Sequence, residues 1–270
     1  MKKDFFEDKK IKFPAYEPWI SDEDKKIVKK TLTQSMLTLG PQLEKFENDF
    51  CKYSKAKYAV AVSNCTAALH LSLMALGIKK DDEVIIPDLT FVADANAILA
   101  CNAKPVIVDI NKENFFLSIS NIKKNITKKT KAIIPVHIYG QVCNIEEILD
   151  VAKDNNLKVI EDCAHAVGTF HKSKHVGTLG NTGCFSFYPT KNITTAEGGM
   201  VITNSEKIAE KVRQLRNHGM TKSLKSRYSS EYPWIFDIKQ SGYNYRLDEI
   251  RAALGITQLK RIKKINELRK

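Results

Sequence analysis

Between Tyr58 and Ile160 the chain repeats one pattern, a short unbroken apolar run followed by a helix-like segment. Tyr58-Ala-Val-Ala-Val62, Glu83-Val-Ile-Ile86, Pro105-Val-Ile-Val108, Ala132-Ile-Ile-Pro-Val136 and Leu157-Lys-Val-Ile160 read as strands. Between them, Thr66 to Leu76 predicts a helix ending at Gly77, Thr90 to Cys101 a second, and Ile145 to Asn155 a third, capped by Asn144. Runs of this kind have no polar face to give to water. They predict an α/β chain whose mostly parallel sheet is covered by helices on both sides. Such sheets bind ligands beyond the carboxyl ends of their strands.

From Gly168 to Asn204 the rhythm changes to short strands joined by turns, among them Cys184-Phe-Ser-Phe187 and Met200-Val-Ile-Thr203. A closed barrel would keep alternating, so the break predicts an open, mixed sheet. Helices resume at Ser205–Arg216 and from Leu247 onward, and Gly219–Gly242 reads as a long surface loop. No internal repeat or low-complexity tract interrupts the 270 residues, which suffice for one sizeable core.

Charge and cysteines narrow the classes of function. The net charge of +12 raises nucleic acid as a partner, yet only seven of the 43 basic residues are arginine, scattered from Arg213 to Arg269. Nucleic-acid readers concentrate arginine beside stacking aromatics. A lysine-rich solvated surface is the simpler reading, and no nucleic-acid partner is expected. The six cysteines stand at least 14 residues apart, without zinc-knuckle or redox spacing, so no metal site is expected and the thiols read as small core residues. With charges throughout the first ten residues and no long apolar run, the expectation is a cytoplasmic chain without leader or membrane span.

Three segments carry candidate chemistry. Ser63-Asn-Cys-Thr66 joins a strand to a helix, where free N–H groups and hydroxyls suit either an anion or a simple N-cap. Val159-Ile-Glu-Asp162-Cys-Ala-His165 ends a buried strand in carboxylates. A buried carboxylate needs a partner: a protonated ring nitrogen, a lysine or a metal. His165 could be a ligand, a ring-stacking group or a satisfied core histidine. Ser186-Phe-Tyr-Pro-Thr-Lys191, followed by Glu197-Gly-Gly199, places a lysine in a connection rich in small residues. Desolvation there would lower its pKa, as Schiff-base chemistry requires.

Together these segments, with Pro87-Asp-Leu-Thr-Phe91 and Gly242-Tyr-Asn-Tyr-Arg-Leu247, resemble the DegT/DnrJ family of sugar aminotransferases from about Ile11 onward. The resemblance implies a fold type I transferase dependent on pyridoxal 5′-phosphate (PLP). It implies that Lys191 bonds the cofactor and shuttles a proton, Asp162 pairs with the pyridine nitrogen, and His165 lies by the phenolic oxygen, where other members have glutamine. Phe91 would stack on the cofactor ring, while Thr66, the Cys65 amide and the Ser186 hydroxyl hold its phosphate. Asn244 would reach that phosphate from the other subunit of a homodimer with shared active sites.

The expected reaction is transfer of the amino group of L-glutamate to a nucleotide-linked 4-keto-6-deoxy sugar, for surface polysaccharide or glycan precursors. The likeness is to 4-aminotransferases of the perosamine synthase type. The alternatives are a family dehydratase, in which histidine replaces the lysine, a 3-aminotransferase, and outside catalysis a lysine-rich nucleic-acid-binding regulator. Residues 1–246 are expected to form an N-terminal segment and a large PLP-binding domain. Residues 247–270 are expected to form one long helix leading into a truncated small domain, with apolar surface exposed on one face of that helix and around the N-terminal residues.

Overall fold

The alternating runs become a seven-stranded sheet between two layers of helices. In the computed structural model, which describes residues 17–221, 232 and 234–269, α1 (Asp22–Thr31) and α2 (Pro41–Ser54) come first. They lead into β1 (Tyr58–Val62), α3 (Cys65–Ala75), β2 (Glu83–Pro87), α4 (Ala93–Ala100), β3 (Lys104–Val108) and α5 (Ile119–Asn125). Next come β4 (Thr130–Ile133), α6 (Ile145–Asp154), β5 (Lys158–Asp162) and a small hairpin of β6 (Phe170–His171) and β7 (Lys174–His175). Last are β8 (Thr182–Ser186), β9 (Gly199–Thr203), α7 (Glu206–Leu215), α8 (Glu249–Lys260) and α9 (Ile262–Leu268). Part of the Gly219–Gly242 loop, the residues before Glu17 and Lys270 lie outside the described residues.

The sheet order is β1-β9-β8-β5-β4-β2-β3. Every strand runs parallel except β9, which is antiparallel to both its neighbours. The carboxyl ends of six strands and the start of β9 therefore share one edge. Side-chain alternation divides the core: Val60 and Val62 pack with α3 and α7, while Ala59 and Ala61 face α2 and α8. Among the described residues no helix is long and apolar enough to cross a membrane.

Three expectations are corrected. The final segment is two helices, broken at Arg261 (φ −101°, ψ 4°), whose guanidinium turns back to Asp24 at 2.7 Å. Its apolar face is mostly covered: Leu247, Ile262 and Ile265 are buried beside α2, and only Leu268 stands well exposed. Asn144 does occupy the N-cap of α6, but its side chain makes no capping hydrogen bond.

The covering helices are locked by buried carboxylates. Helix α2 begins at Gly40-Pro41, which offers no capping side chain. The fully buried Glu249 supplies the cap from α8, accepting the N–H groups of Gly40 (2.8 Å), Gln42 (2.7 Å) and Leu43 (3.1 Å). Glu249→Ala would leave three donors unpaired, two of them buried, and is expected to cost about 3 kcal/mol. Denaturant unfolding of variant and parent measures this, and a loss below about 1 kcal/mol would show that the cap contributes little.

Candidate active site

At the carboxyl edge of the sheet lies a cavity of about 580 Å³. The loop after β1 opens it. Asn64 caps α3 by accepting the Ala67 N–H (2.8 Å), so Cys65 and Thr66 occupy the first turn at the positive end of the helix. The loop can sit there because residue 199 is glycine: a Cβ on it would come within 2.5 Å of Asn64 backbone. Sequence reading passed over both Asn64 and the close approach at Gly199.

Strand β5 ends in two carboxylates, which alternation sends to opposite faces. Asp162 lines the cavity and accepts the Ala164 N–H at 2.8 Å. Burial raises its pKa above the usual carboxylate value, with the Ala164 N–H and the nearby Lys191 charge opposing. Glu161 is fully buried on the other side. It accepts N–H groups from Gly177 (2.7 Å), Leu179 (2.8 Å) and Gly180 (2.7 Å) and contacts His137 Nε2 (2.9 Å). Glu161, His137 and Cys163 have metal-ligand chemistry and lie together. The carboxylate, however, is already filled by four protein donors and works as a structural tie.

Lys191 comes from the β8–β9 connection, whose shape is fixed by hydrogen bonds. Lys191 N–H donates to Tyr188 O (2.9 Å), Thr195 N–H to Phe187 O (2.9 Å), and Phe187 N–H to Gly198 O (2.9 Å). The Thr194 hydroxyl adds a bond to Phe187 O at 3.0 Å. The ammonium is half-buried, and desolvation lowers its pKa against the pull of Asp162. Ser186, at the end of β8, also lines the cavity, as does Phe91, whose ring is 73% exposed.

His165 is not a core histidine. It lines the cavity half-buried, its Nδ1 accepts the N–H of Tyr139 at 3.2 Å, and its ring stacks on Tyr139. Burial, aided by Lys191, brings its pKa down to about 4. The imidazole is therefore neutral at physiological pH, with its proton on Nε2. Asn244 stands apart from the cavity: it is exposed and bridged by backbone to Asn217.

Two further residues had not been singled out from sequence. Tyr139 projects from the loop after β4. Asp94 is a lone acid in the otherwise small and apolar face of α4, and that isolation was the signal available. Its side chain is fully buried, with Oδ2 accepting the Thr90 hydroxyl (2.5 Å) and Oδ1 without a partner among the described residues. Burial, and then Asp162, push its pKa well above the ordinary carboxylate range. The α4 N-terminus favours the anion by less than about 1 kcal/mol, which does not offset losing water from an unpaired buried charge.

The sign follows. A carboxyl whose folded pKa is raised loses folded stability as pH rises above its unfolded value, near 4. Asp94→Asn keeps the shape without the charge. It is expected to add about 1–2 kcal/mol at pH 8 and nothing at pH 4. Thermal unfolding of cofactor-free protein at both pH values checks this, and equal effects at the two would contradict it.

Lysine, buried aspartate, aromatic ring and helix N-terminus thus meet in one cavity. A sequence model described as the DegT/DnrJ/EryC1/StrS aminotransferase family matches residues 18–270. The chain belongs to this family. GDP-perosamine synthase of Escherichia coli O157:H7 is similar, at 43% identity over 247 residues that cover 91% of this chain and 65% of the relative. Helicobacter pylori PseC, an aminotransferase involved in pseudaminic acid biosynthesis, superposes with a TM-score of 0.85 at 33% identity, covering 93% of this chain and 66% of its own. Spr1654 from Streptococcus pneumoniae in its PLP-form does so at 0.86 and 30%, covering 93% and 67%. The chain spans 63% to 65% of the length of three curated relatives that it matches.

DegT-family aminotransferases use PLP, and the donor set in this cavity fits that cofactor. The helix start and a hydroxyl would suit its phosphate, the acid its ring nitrogen and the lysine its aldehyde.

Proposed function

We propose that this chain catalyses transfer of an amino group from L-glutamate to a nucleotide-linked 4-keto-6-deoxy sugar. The observation that carries the reading is the convergence of Lys191, Asp162 and the α3 N-terminus on one cavity. PLP, when bound, supplies the electron sink that makes a proton on the carbon bearing the amine mobile. The chain's own residues do the rest. Thr66, the Cys65 N–H and Ser186 would hold the phosphate, and Phe91 would cover the ring. Asp162 would keep the pyridine nitrogen protonated, and His165 Nε2–H would face the phenolic oxygen. Lys191, with its depressed pKa, would hold the cofactor's aldehyde and serve as the base that moves the proton on the carbon bearing the amine.

The relatives named for perosamine and pseudaminic acid synthesis support a sugar nucleotide as acceptor. Asn244, exposed and clear of its own cavity, is free to complete the phosphate site of a second subunit, which makes the active unit a homodimer. The test is mass spectrometry of products from a panel of 4-keto and 3-keto sugar nucleotides on UDP, GDP and dTDP with glutamate. Amination of 4-keto members is expected. Turnover of 3-keto members alone would reassign the position, and no amination would overturn the reading.

A further inference from the structure

Tyr139 sits where two cavities meet. Beside the 580 Å³ pocket lies a second cavity of about 670 Å³, and among the described residues Tyr139, His165 and Lys191 line both. The second cavity is mixed in character, edged by Asn192, Asn266, Lys263, Glu267 and Arg269 beside the Phe170 ring. Tyr139 therefore stands beside Lys191 along the seam of the two cavities.

The ring is held out on purpose-built backbone. Tyr139 adopts a left-handed conformation (φ 52°, ψ 23°), disfavoured for a residue with a side chain and tolerated where neighbours enforce it. Here they do. Gly140 N–H bonds His137 O (3.2 Å), Thr169 Oγ1 donates to Gly140 O (2.9 Å), and His137 N–H bonds Asp162 O (3.0 Å). The Tyr139 N–H goes to His165 Nδ1 (3.2 Å). The two rings lie parallel, 5° apart in plane with centroids at 5.6 Å, and yet Tyr139 remains 81% exposed. One face is on His165 and the other is open. A tyrosine placed only for packing would not be held strained with its ring uncovered at the neck of two cavities.

We propose that the open face of Tyr139 is the platform on which the sugar ring of the acceptor stacks. A pyranose presents a face of C–H bonds, weakly positive, that matches the negative face of an aromatic ring, while its hydroxyls remain free for the polar side chains around it. The inference rests on the aminotransferase reading above and names the part of the acceptor that this neck recognises.

The test uses the PLP-loaded enzyme, Tyr139→Ala and Tyr139→Phe, with whichever keto-sugar nucleotide the product panel shows to be turned over. The glutamate half-reaction is followed by the absorbance change of the bound cofactor. The acceptor half-reaction is followed by its reversal. In Tyr139→Ala the acceptor KM is expected to rise about tenfold, well beyond any change in the glutamate KM, and Tyr139→Phe should restore it. Saturation-transfer NMR gives a readout independent of turnover: contacts to the sugar-ring protons should be lost in the alanine variant and kept in the phenylalanine one. An unchanged acceptor KM in Tyr139→Ala would overturn the proposal. So would equal weakening of inhibition by the free nucleoside diphosphate, which would assign the platform to the base. A parent enzyme that shows no glutamate half-reaction would instead sink the aminotransferase reading.

Discussion

Lys191→Ala is expected to lower turnover on the order of 10⁴-fold, the upper end of what a positioned proton carrier contributes, and to abolish any borohydride-reducible adduct. The reason is where the amine sits. It is half-buried, its pKa is depressed by desolvation, and it comes from a connection held by main-chain bonds at Phe187, Tyr188 and Thr195. Those bonds do not involve the ammonium, so the cofactor-free fold is expected to survive. The helix start at Cys65 and Thr66 is likewise untouched, so non-covalent cofactor binding through the phosphate should persist in dialysis. Steady-state kinetics and borohydride reduction of the variant check this. A reducible adduct retained in Lys191→Ala would place the attachment on another lysine.

Asp162→Asn is expected to cost about 10²-fold or more in rate with little loss of stability. Asn can still accept the Ala164 N–H, and the main-chain bonds of residue 162 to Pro135 and His137 are unaffected. What disappears is the negative charge that a protonated ring nitrogen requires. The carboxylate one residue earlier does the opposite job: Glu161 is saturated by four donors, so its loss would be felt in folding before chemistry. Kinetics together with the thermal midpoint separate the two. Near-normal turnover in Asp162→Asn would make that carboxylate structural as well.

Local chemistry decided what could be read in advance. The strands announced themselves as unbroken apolar runs, and the chain leaves β1 and β5 at the carboxyl edge, so Thr66 and Asp162 were legible from position, while Ser186 came only with the family resemblance. Lys191 was legible because a lysine among small residues in a tight connection is poorly placed for solvent. The remainder depends on contacts that no local pattern encodes. Glu249 caps a helix more than 200 residues away, and Gly199 admits a loop from another strand. A left-handed backbone is read from sequence mainly at glycine or asparagine, so Tyr139 gave no sign. The final helices misled for a related reason. Their apolar residues suggested an uncovered face, while α2 lay ready far upstream to cover it.

One particular lysine among the 36 in this chain, Lys191, is expected to bond the cofactor. The direct measurement is to incubate the protein with PLP, reduce it with borohydride, digest it and locate the mass increment by tandem mass spectrometry. A single stoichiometric modification at Lys191 is expected. Modification spread over surface lysines with Lys191 unlabelled, or no modification at all, would contradict it.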